Sequence, residues 1–187
     1  MDGRKTALDV LISCRKQGAW ANGALKEYIL RDRLDRRDAA LAARLCYGVL
    51  QNRYLLDFTL QQLLTGKVKD LHPVVRDILH LGLYQICFLD KIPASAAVNE
   101  AVAQAKKYCP GQRWASGLVN AVLRSFLRGN KHVSLPSDPW ENASVVGSMP
   151  KELMSIFDES YPPLLRECAD APLILYIRSQ RQRKRNL

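Results

Sequence analysis

The chain has 187 residues, 48% of them apolar, and a formal net charge of +10. That length holds one domain with little to spare, and the apolar share is enough for a packed core. Five scattered cysteines with no C-x-x-C pair exclude a disulfide framework and a zinc or dithiol motif, and buried free thiols in a reducing compartment are expected instead. The N-terminus has no long apolar run, so no secretory signal is expected.

In chain order, Asp2 is placed to cap a first helix over residues 4–17, which Gly18 stops. Asn22 is the expected cap of a second, over residues 23–33. Asp35 caps a third, with Asp38 in the capping-box position, running to Asn52. Gly48 lies on its apolar side, which predicts close helix–helix approach rather than a break. A fourth helix follows, continuous or kinked, up to Gly66. Residues 72–89 form the central helix: Pro73 suits a first turn, and apolar residues cover nearly every side. Arg76, Asp77, His80 and Gln85 interrupt it, and it falls short of the ~20 apolar residues of a membrane span. Ser95 is the expected cap of a sixth helix to Tyr108, with an Ala-rich face, and a seventh covers residues 114–128.

Residues 1–130 therefore read as an all-α bundle of about seven helices joined by short connections. Residues 131–177 read as a connector: an extended or turn-like stretch at 135–139, two short helices after Pro150 and Tyr161, and an incomplete strand at 172–177 with no partner. Residues 178–187 form a basic tail expected to be disordered. Charge follows the same division, at +9 for residues 1–130, −4 for 131–177 and +5 for 178–187.

Catalytic motifs are absent. No G-x-G-x-x-G or P-loop pattern occurs, and His72 and His80 stand too far apart for a zincin pair. Asp35 and Asp38 are explained by capping, and Cys46 and Cys87 by core packing. Lys106 and Lys107 could lower the Cys109 thiol, but its place between helices explains it without reactivity. The basic residues carry more information. Arg4 and Lys5 open the first helix and Arg36 and Arg37 the third, where the helix dipole disfavours cations; Arg31 and Arg33 flank the same turn. Helix N-termini and arginines both attract phosphate, which points to an RNA contact surface; a solvated charged face is the alternative. Lys106, Lys107 and Arg113 form a second cluster of the same kind.

Several strings occur together in order: Tyr47-Gly48-Val49-Leu50, Leu81-Gly82-Leu83-Tyr84-Gln85, Ala96-Ala97-Val98-Asn99-Glu100-Ala101-Val102, and Val119-Asn120-Ala121-Val122-Leu123-Arg124. Over about residues 4–130 the chain resembles the NusB-like RNA-binding domain at the N-terminus of RsmB (Sun/Fmu) enzymes, bacterial small-subunit rRNA cytosine-5 methyltransferases. The resemblance implies a NusB-like fold, a cytoplasmic location, and a surface facing RNA (ribosomal RNA above all) or a ribosomal or transcription-factor protein, as in antitermination. It also implies that the chain stops before the catalytic domain. No catalytic residue, cofactor or metal ligand is then expected here, with S-adenosylmethionine belonging only to the missing domain. His80 departs from the family's more common Arg. Asn99 and Asn120, which match family positions in mid-helix, are expected to make buried hydrogen bonds that lock the sixth helix against the seventh.

Overall fold

A computed structural model of the chain describes residues 2–150. Eight α-helices occur among them, with no strand: α1 (Gly3–Gln17), α2 (Ala21–Arg31), α3 (Arg36–Gln51), α4 (Arg53–Leu63), α5 (Pro73–Phe88), α6 (Ala94–Tyr108), α7 (Arg113–Arg128) and α8 (Pro139–Val146). The expected short helices after Pro150, the strand at 172–177 and the basic tail lie outside the described residues.

Helix ends follow local chemistry. Asp2 accepts from the Arg4 N–H, Asp35 from the Asp38 N–H and Asp138 from the Glu141 N–H, each satisfying a donor that the first turn leaves unpaired. Gly18 ends α1 with φ 64°, where a side chain would be strained. Two expected caps are not caps. Trp20 precedes α2, and Asn22 sits inside it, where its side-chain oxygen accepts from the Tyr47 hydroxyl at 3.3 Å. Pro93 precedes α6, so Ser95 is already helical. The stretch read as extended or turn-like is so over residues 135–138, and α8 then begins at Pro139, which suits its first position after the Asp138 cap.

Helix α5 runs through the centre, and thirteen of its residues are buried. Its neighbours are α1, α3, α4, α6 and α7. Two glycines let backbones close on it. A Cβ on Gly48 would collide with the Tyr84 ring, which stacks on Phe88 at 4.8 Å; a Cβ on Gly82 would stand 2.7 Å from Leu123. Arg76, Asp77, His80 and Gln85 of α5 all have side-chain partners. Asp57 of α4 accepts from Arg76 at 2.8 Å and pairs with the buried His80 at 2.9 Å. Burial opposes its ionisation, but the bonds from His80 and Arg76 outweigh that and hold its carboxyl below the ordinary value. Arg15 of α1 reaches Asp77 at 2.9 Å. At the other end, Arg44 and Lys131 donate to the carbonyls of Phe88 and Ile86, which the helix itself leaves open.

The bundle continues past residue 130. Val133 and Val145 join the core, and α8 packs on α4. Gln62 of α4 exchanges two hydrogen bonds with the Ser134 backbone, at 3.0 and 3.1 Å. The Ser148 hydroxyl accepts from the Tyr54 N–H at 2.9 Å, serving the start of α4 where Asn52 makes no cap bond.

The asparagine expectation fails. Asn99 is exposed, and Asn120 accepts from Arg124 one turn on in its own helix, at 2.8 Å. Helices α6 and α7 pack on each other, and their buried faces carry small and branched apolar residues, among them Ala97, Ala101 and Ala105 of α6 and Ala115 and Val119 of α7.

Candidate nucleic-acid interface

Three helix ends meet at one corner. The start of α1 touches that of α3, since a Cβ on Gly3 would run into the Asp38 backbone. The Thr6 hydroxyl donates to Asp32 at the end of α2, at 2.7 Å. Arg4, Lys5, Arg31, Arg33, Arg36 and Arg37 thus come together, as their placement on helix ends suggested.

They do not share one condition. Arg4 turns inward and donates from Nε to the buried Gln85, at 2.7 Å. Lys5 pairs with Asp9 at 2.8 Å and with Asp32 at 3.5 Å. Arg31 binds Asp32 at 2.7 Å and Asp9 at 2.8 Å, with its guanidinium 4.0 Å above the Tyr28 ring. The hydrogen bond from Arg31 holds the Asp32 carboxyl well below the carboxylate range, and the same bond raises the guanidinium pKa. These three cations are matched by the protein's own groups. Arg33, Arg36 and Arg37 are exposed, and no carboxylate among the described residues lies within 4.0 Å of them.

Arg33 is held in a costly backbone conformation. Its φ is 47°. Its N–H bonds to the Leu30 carbonyl and that of Leu34 to the Ile29 carbonyl, a helix-ending pattern whose left-handed position usually goes to glycine. An L side chain there costs about 1 kcal/mol.

The second cluster lies beside the first. Lys106 and Lys107 occupy the last turn of α6, where the dipole favours cations, and both are exposed. The next residue, Tyr108, donates its hydroxyl to Asp9 at 2.6 Å and so ties α6 to the Lys5–Arg31 network. Burial and the bond to Asp9 together push the Tyr108 phenol up. For Asp9, burial works against ionisation, while Lys5, Tyr108 and Arg31 outweigh it and lower its pKa. Arg113 stands beyond this junction at the start of α7, exposed, beside Trp114, whose ring meets His72 edge-on at 6.4 Å.

Sequence reasoning missed Asp9 and Tyr108, which join the clusters across 99 residues of chain. The spacing of Lys5 and Asp9 by one helical turn was the available signal for the first; the second had none. No group of three His, Cys, Asp or Glu side chains suited to a metal ion occurs among the described residues, and none of their helices is long and apolar enough to cross a membrane. The thiols of Cys46 and Cys87 are pushed up to about 12, chiefly by burial, which suits packing rather than reaction.

A central apolar helix surrounded by five others, with basic helix ends gathered at one corner, defines a NusB-type all-helical bundle. The chain belongs to the NusB family, whose sequence pattern matches residues 1–128. It is 35% identical over 159 residues to the probable ribosomal RNA small subunit methyltransferase B of Bacillus subtilis (strain 168), which covers 84% of this chain and 35% of that protein. With the ribosomal RNA small subunit methyltransferase B of Pseudomonas putida, identity is 31% over 180 residues, 95% of this chain and 40% of the relative. The chain thus spans little more than a third of the length of these curated relatives. Among solved structures, NusB in a complex of the antitermination factors NusB and NusE with dsRNA superposes with a TM-score of 0.61 at 23% identity, over 68% of this chain and 94% of that one. Thermotoga maritima NusB gives the same TM-score over 67% and 88%. At that identity they establish a shared fold.

Proposed function

We propose that this chain is the RNA-positioning part of an RsmB-type small-subunit rRNA cytosine-5 methyltransferase. It grips the ribosomal RNA backbone in the cytoplasm and leaves methyl transfer, with S-adenosylmethionine as donor, to the part of the relatives that it does not span. Residues 1–150 take no chemical step in this reading.

The observation that carries it is the set of exposed, carboxylate-free cations at Arg33, Arg36 and Arg37, flanked by Lys106 and Lys107 on the far side of the Asp9–Tyr108 junction. Arg36 and Arg37 also open α3, where N–H groups and the dipole favour an anion. Arg4, Lys5 and Arg31 shape this surface from within. Phosphate contact falls to the other cations.

The test is a salt titration of binding to a rRNA helix. With Arg36→Ala and Arg37→Ala together, the slope of log K against log salt should fall by roughly two, about one for each phosphate no longer neutralised. A slope near zero in the unaltered chain would end the RNA reading.

A second reading is a protein-interaction module of the antitermination kind. Trp20 and Leu30, 88% and 69% exposed at either end of α2, favour it. Substituting both by Ser should leave RNA affinity unchanged under the first reading.

A further inference from the structure

Between α1, α2, α5 and α6 lies a groove of about 360 Å³, lined by Arg31, Asp9 and Tyr108 of the network above but by none of Arg33, Arg36 and Arg37. We propose that it receives one unpaired nucleobase of an RNA strand. The proposal deepens the RNA reading above and rests on it.

Size comes first. The volume is at the lower end of the range for small-ligand sites, enough for a single nucleotide and too small for a duplex. Ile12 and Val74 give it an apolar lining. Two planar groups flank that lining. One is the Arg31 guanidinium, which lies on the Tyr28 ring and is fixed by Asp9 and Asp32. The other is Tyr108, whose hydroxyl is fixed by the same Asp9. Aromatic rings and guanidinium planes are the surfaces on which bases of single-stranded RNA stack. Because Asp9 holds both in advance, little side-chain freedom is lost on binding. This also gives Arg31 a role its charge does not: with both carboxylates already bonded, it serves as a plane rather than as a phosphate anchor.

Polar edges are present as well. Ser13 donates its hydroxyl to the Gln17 side-chain oxygen at 3.1 Å. The Gln17 amide N–H groups and the Ser13 oxygen lone pairs remain to meet a base edge. Lys16 is exposed on the same rim, with no carboxylate within 4.0 Å among the described residues, and suits the phosphate on the ribose of that nucleotide.

The groove is tested by titrating the full chain with each of the four ribonucleoside 5′-monophosphates, and with ribose 5-phosphate as the probe lacking a base. The Gln17 side-chain amide is followed by NMR. At least one nucleotide should move that signal saturably, while ribose 5-phosphate should not. Tyr108→Leu, which removes one of the two planes, should weaken the nucleotide by about fivefold or more. Lys16→Ala, at an exposed site that cannot disturb the core, should weaken it severalfold. Equal shifts from ribose 5-phosphate, no shift from any nucleotide, or unchanged affinity in both variants would each overturn the proposal. Anisotropy with a labelled single-stranded RNA dodecamer is run beside it. If the dodecamer binds with a normal salt slope while no nucleotide enters the groove, the groove proposal falls and the RNA reading stands. If the unaltered chain binds no RNA, the RNA reading falls on its own evidence.

Discussion

Arg31 and Arg33 stand two residues apart and do opposite things. Arg31 is bonded to Asp9 and Asp32, and its position needs no strain. Arg33 has no carboxylate within 4.0 Å among the described residues, and it occupies a left-handed backbone position that suits glycine better. A residue that costs stability where it stands is a candidate for selection by something other than the fold. Arg33→Gly should therefore leave stability unchanged or raise it by up to about 1 kcal/mol, which is roughly 2–4 °C in the melting midpoint for a chain of this size. The same change should weaken RNA binding and lower its salt slope by about one. A variant that is less stable, or that binds RNA as before, would show Arg33 to be part of the α2–α3 turn and nothing more. Arg4 shows the contrary case. Its Nε bond to buried Gln85 spans 81 positions of chain, so removing it should damage the α1–α5 contact first and RNA binding only through that.

At the scale of helices, the bundle depends on how closely α3 can approach α5. Gly48 and Tyr84 decide that distance. Overpacking a close contact costs about 1–3 kcal/mol, more than the gain of up to about 1 kcal/mol from replacing glycine by alanine in a helix. Gly48→Ala should accordingly destabilise the protein in urea denaturation. Adding Tyr84→Leu should recover part of the loss, a coupling that independent sites would not show. Gly117→Ala, in α7 where nothing lies within 4 Å of an added Cβ, should stabilise instead. If both glycine changes behaved alike, contact with Tyr84 would not be the cause. The Gly48 approach was legible in the sequence because a glycine inside a helix costs stability, and on an apolar face close packing is what offsets that cost. Seven of the helices and the caps at Asp2 and Asp35 were legible too, since these depend on neighbours within a turn. Asn22 misled because its partner, Tyr47 of α3, is not local, and Asn99 because it faces solvent. The basic corner was legible as a set of residues, while its division into matched and unmatched cations was not. That division depends on carboxylates brought in from other helices, as Arg31 meets Asp9 across 22 positions.

For the molecule as a whole, the family match ends at residue 128 but the packed core does not. Val133 and Val145 are buried with the bundle, Gln62 is satisfied by Ser134, and Ser148 serves a donor at the start of α4. Each buried valine is worth about 1.5–3 kcal/mol, and a lost cap bond about 1 kcal/mol. A chain ending at residue 130 should then be less stable than one ending at 150 by about 3 kcal/mol or more, with a lower urea midpoint and earlier exchange of the α4 amides. Ser148→Ala in the longer chain isolates the cap: it should cost about 1 kcal/mol and affect the first turn of α4 most. The corner that gathers Arg33, Arg36 and Arg37 is built by α1, α2 and α3, whereas α8 packs on α4. The shorter chain, at a temperature where it stays folded, should therefore bind RNA with an unchanged salt slope. Equal midpoints for the two chains would mean that residues 131–150 cover the bundle without holding it. A changed slope at equal folding would mean that the RNA surface extends onto α8.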